Sequence, residues 1–154
     1  MVFVPLPLSQ AVALRAAPRP GPHDGFAATP ELRAALGPDP HEEETDYAAL
    51  SAAGVAALDG LVGSRRLVVA VEVPTGGVTD RGSGLGEVEL GGLRWDQVQA
   101  LFADEESAAE MVCAAAAAAV GVPVADVLGL PAVVALTDSF DLLWFAPEEL
   151  DALV

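Results

Sequence analysis

Residues 66–73, Arg-Leu-Val-Val-Ala-Val-Glu-Val, constrain the fold of this chain more than any other stretch. The run is β-branched, almost continuously apolar and closed by Pro74. Branching at Cβ restricts χ1 and suits a pleated surface, so the run is expected to be a strand. A strand with one wet face alternates apolar and polar residues. This one does not, which predicts an inner strand covered on both faces. Such a sheet needs packed helices, and the chain supplies strand-like and helix-like segments in repeated order. The expected class is α/β, as an α+β two-layer sandwich. Its sheet would be mixed, of about five or six strands, with helices mainly on one face. A ferredoxin-like winding is the first topology to compare. At 154 residues, the chain reads as a single globular domain, 1–154.

Further strands are expected at 2–6, 25–28, 87–90, 97–103 and 140–145. Helices are expected at 9–17, from Pro30 behind a Thr29 cap, at 46–61, at 107–120 and at 124–136, with a last turn opening at Pro147. In the 46–61 helix, Tyr47, Leu50, Gly54, Leu58 and Leu61 form the expected buried stripe. Asp39 and Glu42 are spaced as a capping box. The Pro-rich stretch 18–22 reads as a connector without regular structure, and 75–86 as a Gly/Ser loop.

The chain has no Lys, Asn or Ile, and its seven cations are all Arg. This bias follows G- and C-rich codons, so the net charge of −16 reflects scarce cations as much as abundant acids. A nucleic-acid partner is not expected, because a phosphate backbone calls for a basic stripe. A membrane span is not expected either. The stretch 111–125 is uncharged, but it contains Gly121 and Pro123 and falls short of the ~20 apolar residues required. The N-terminus lacks the basic region of a signal peptide, and Cys113 is the lone cysteine, so a cytoplasmic setting is expected.

Candidate chemistry is sparse. His41, Glu42, Glu43, Glu44 and Asp46 could ligate a divalent cation. They could equally be the acids that stabilise a helix start, which is the reading adopted, with no metal and no cofactor. The stretch 81–86, Arg-Gly-Ser-Gly-Leu-Gly, resembles a phosphate loop but ends in neither Lys-Ser/Thr nor a helix. It reads as a hairpin connection. Cys113, without a basic neighbour, reads as a buried inert thiol. Trp144 reads as core, whereas Trp95, with Leu93 and Arg94 beside a Gly-Gly turn, is the candidate interface. No catalytic residue can be assigned.

The segments 2–14, 46–50, 65–74 and 142–149 together resemble a family of short actinobacterial proteins of unknown function, in the same order and at similar length. The resemblance implies a single domain and brings no activity with it. The leading functional expectation is a non-catalytic protein acting through protein–protein contact or self-association as a homodimer. The alternative is a small-molecule- or metal-binding protein or enzyme using carboxylates with Arg81 or Arg94.

Overall fold

A computed structural model describes residues 1–154. In chain order the strands are β1 (Val2–Pro5), β2 (Arg19–Phe26), β3 (Leu67–Val71), β4 (Val78–Asp80), β5 (Glu87–Leu93), β6 (Val98–Ala103) and β7 (Leu143–Phe145). The helices are α1 (Leu8–Ala16), α2 (Pro30–Leu36), α3 (Glu42–Ala56), α4 (Ala109–Ala119), α5 (Val124–Val127), α6 (Pro131–Ser139) and α7 (Leu150–Leu153). The fold is α+β. One seven-stranded sheet runs in the order β4-β5-β2-β1-β3-β6-β7, and every pairing is antiparallel.

The sheet is thus larger than expected and not mixed. Its additional strand, β4, forms inside the stretch expected to be a loop and pairs with β5. A ferredoxin-like winding places a strand between the two that flank the first helix. Here β1 and β2 are direct antiparallel neighbours, although α1 joins them.

The run 67–71 is buried at every residue and forms an inner strand of the sheet, between β1 and β6. Leu67, Val69 and Val71 face one apolar layer with Val2, Val4, Leu90, Leu93 and Leu101, closed by Ala11 and Leu14 of α1 and Leu150 and Leu153 of α7. Val68 and Ala70 face the other, with Phe3, Phe26 and Leu32, against Ala49, Ala52 and Ala53 of α3. Helices therefore cover both faces. Beyond α3, α4 to α6 pack around Val55 and Leu58 as a third cluster.

Gly54 and Leu58 of the expected stripe are buried, but the rest of the buried face of α3 is rotated from it. Thr45, Ala49, Ala52 and Ala53 face the sheet, while Tyr47 is exposed and Leu50 and Leu61 are half-buried. Small residues let the helix lie close on the strands, so the larger side chains fall to its flanks. The helix starts at Glu42 behind His41 with no side-chain cap, so the Asp39–Glu42 box does not form. Thr29 does cap α2, its hydroxyl accepting from the Leu32 amide at 3.2 Å.

The stretch 18–22 is largely strand. From Pro20 to His23, β2 advances three residues while β5 advances two, from Gly92 to Leu90. The extra residue is a bulge that absorbs the prolines and increases local coiling. Gly21 sits there so close to β5 that a β-carbon would collide with the Gly91 carbonyl. The coiling has a visible cause in connectivity. Only residues 94–97 join β5 to β6, yet β2, β1 and β3 lie between those strands. Four flat strand spacings come to roughly 19 Å. An extended link of five residue steps reaches at most roughly 18 Å, and this link is shortened by a tight turn at Trp95–Gln97. The sheet must therefore curl.

Candidate functional site

The strongest polar construction in the molecule was not legible as such in the sequence. Arg66, just before β3, and Asp104, just after β6, are both buried. The Arg66 guanidinium donates to Asp104 through Nε at 2.9 Å and Nη2 at 2.7 Å, and the Arg66 backbone amide donates to Oδ2 at 2.8 Å. The pair extends the β3–β6 ladder one step past Leu67 and Ala103. Nη1 reaches the Gly54 carbonyl of α3 at 3.5 Å. Leu142 closes over the same point, where a β-carbon on Gly54 would sit 3.0 Å from its Cδ1. Asp141, one residue earlier, accepts a hydrogen bond from Tyr47 Oη at 3.1 Å. That bond holds the Tyr47 phenol above its ordinary pKa, with burial and the Asp141 charge adding to the effect. Strand β6, helix α3 and the segment leading into β7 are thereby tied together.

What they position is an edge. Strand β7 pairs with β6 on one side, Trp144 opposite Phe102 and Leu143 opposite Ala103, and has no strand on the other. Directly opposed residues share a sheet face, so Trp144 lies on the side of Phe102, whose ring meets Phe3 edge-to-face at 6.2 Å. Trp144 is 61% exposed and Leu143 43% exposed. Trp144 is therefore not core, contrary to expectation, because its strand closes the sheet and nothing packs over it. The opposite edge, β4, is blunted by exposed Thr79 and Asp80.

Leu93 is buried and Trp95 is half-buried against the α1-side layer. Of the expected interface trio only Arg94 is exposed, where its Nε donates to Asp96 at 2.9 Å and pulls that carboxyl below its usual range. Arg81 does lie in a hairpin connection, between β4 and β5, bridging Glu89 at 2.7 Å and Asp24 at 2.8 Å. It rims a cavity of about 280 Å³ between β2 and the α3–α5 helices, with Phe26, Val55 and Val127 in its apolar wall and Asp24, Asp59 and Glu87 in its acidic lining.

His41, Glu42 and Glu43 are exposed and Asp46 is half-buried; Glu42 to Glu44 occupy the first turn of α3, where acids favour the helix dipole. No three His, Cys, Asp or Glu side chains gather closely enough to hold a metal ion. Cys113 is exposed, not buried, because α4 turns Val112, Ala115 and Ala119 inward instead. No helix is long and apolar enough to cross a membrane.

An open antiparallel α+β sheet with one apolar edge and no gathered catalytic cluster describes a class of fold, not an activity. From residue 1 to residue 154 the sequence matches the family of unknown function DUF6912, and the chain belongs to that family. No curated protein and no solved structure matches it.

Proposed function

We propose that this protein is a non-catalytic cytoplasmic protein that acts through protein–protein contact, with β7 as the contact edge and a second copy of the chain as its partner. The observation that carries the reading is Trp144, a large aromatic left exposed on a strand with one unpaired edge. An unpaired edge is a template for strand addition. Antiparallel pairing of two β7 edges about a two-fold axis would satisfy both and bury both Trp144 rings. Trp is also the residue type that most often dominates interface energetics. A lone exposed thiol with no disulfide partner fits a reducing compartment.

Each copy carries a net charge of −16, so mutual repulsion opposes the pairing at low salt. Association should therefore strengthen with ionic strength as the Debye length shrinks towards ~8 Å. Sedimentation velocity from micromolar to several hundred micromolar, at low and moderate salt, tests this. A concentration-dependent dimer that salt favours and Trp144→Ser abolishes supports the reading. A monomer at every concentration, or a dimer indifferent to Trp144→Ser, overturns it.

A further inference from the structure

The seven arginines are unequally provided for. Arg15, Arg65, Arg66, Arg81 and Arg94 each hold a carboxylate. Arg33 is exposed and donates to the Ala28 carbonyl. Arg19 holds none. It is half-buried at the start of β2, and its Nε is fully shielded from solvent without any hydrogen-bond partner. In a chain with 23 acids this is the unusual arginine.

Arg19 is paired in register with Leu93, which places Arg94 beside it at the curled end of the β2–β5 ribbon. The two arginines, Gln97 and Gly92 line an open groove of about 450 Å³. No acidic residue lines it, whereas the cavities at Arg81, Asp141, Glu42 and Glu106 each carry at least one. The donors available there are well defined. Gln97 uses its Oε1 to accept from the Arg94 amide at 2.9 Å, which leaves its Nε2 group to donate. Arg94 gives Nε and Nη2 to Asp96, which leaves Nη1. Arg19 contributes its Nη groups, which no carboxylate holds, while its Nε stays shielded behind them.

We infer that this groove is a binding site for the oxyanion of a small molecule, a phosphate or carboxylate group, held by Arg19 with Arg94 and Gln97. A guanidinium fork matches such oxygens in pairs and forms its strongest hydrogen bonds to them. The long-range field of a −16 chain disfavours polyanions such as nucleic acid. A compact anion within one Debye length of two arginines experiences mainly those arginines. The site is separate from the β7 edge and does not depend on it.

The test is a titration of ¹⁵N-labelled protein with sodium phosphate and with sodium succinate, each against sodium chloride of equal ionic strength, following the Gly92, Arg94 and Gln97 amides. Saturable shifts with either anion are expected, and which anion saturates assigns the phosphate or the carboxylate class. Arg19→Gln and Arg94→Gln should each weaken binding about tenfold or more, the loss of one charge-assisted hydrogen bond. Asp96→Asn, which releases Arg94, should tighten it, and Arg81→Gln should leave it unchanged. Should Arg19→Gln fail to fold, Arg94→Gln and Asp96→Asn decide the matter. Linear shifts identical to those in chloride overturn the site, as does binding that none of these groove substitutions alters.

Discussion

Replacing Asp104 with Ala tests the construction that ties β3, β6 and α3 together. The substitution removes the acceptor for three Arg66 donors, the amide at 2.8 Å, Nε at 2.9 Å and Nη2 at 2.7 Å, and leaves a guanidinium buried without its counter-charge. Breaking a buried pair from one side costs about 3–5 kcal/mol. That is a large share of the ~5–15 kcal/mol that holds an ordinary domain together. At roughly 2–4 °C per kcal/mol for a chain of this size, Tm should fall by about 6–20 °C. Urea and thermal unfolding followed by circular dichroism would measure it. The double variant Arg66→Met with Asp104→Ala removes the stranded charge, so it should be more stable than Asp104→Ala alone, and the two effects should be strongly non-additive. A loss under about 1 kcal/mol for Asp104→Ala, or simple additivity in the cycle, would refute the reasoning.

Three further outcomes are expected. Tyr47 is the single tyrosine, so tyrosinate absorbance reports it alone; it should titrate above the usual value near 10, and Asp141→Asn should lower it towards that value, with the effect of burial remaining. Because the folded pKa is raised, the stability this bond contributes is complete below the unfolded pKa and is lost as pH rises through the folded one, which unfolding curves on the alkaline side would detect. Gly21→Ala should destabilise by about 2–3 kcal/mol, since its β-carbon meets the Gly91 carbonyl and the backbone must shift, whereas Gly76→Ala, with open space around it, should be near neutral by chemical denaturation. Cys113 should react with a thiol reagent in the native protein at close to the rate of a free thiol, without added denaturant.

What was legible in the sequence follows the physics of each segment. The 67–71 strand was plain because a β-branched apolar run has few other uses, and the Ala-rich α4 because helix propensity and the flanking Gly and Pro agreed. The end of β2 was expected as a strand at 25–28, but its first part was hidden, since its prolines are tolerated only through a bulge that depends on a partner about seventy residues away. The Arg66–Asp104 pair was hidden for a related reason. Each residue stands beside like-charged neighbours, Arg65 and Glu105, and only the β3–β6 register separates the buried members from the solvated ones. The two tryptophans exchanged expected surroundings. An apolar sequence neighbourhood marked Trp144 as core, yet the strand order puts it on the rim, while the turn around Trp95 folds back over the core.

The short link from β5 to β6 has a consequence for how the molecule comes together. The half-sheet formed by β2 and β5 and the half-sheet formed by β3 and β6 flank β1 on opposite sides, and residues 94–97 give them little slack. Neither half can dock on β1 at its final angle until the other has curled to meet it. Contacts between residues far apart in sequence must therefore form nearly together, which places the chain among slow, high-contact-order folders. It also leaves no half of the sheet able to open alone. A flexible insertion at 94–97 would release that coupling, turning one cooperative unfolding transition into two.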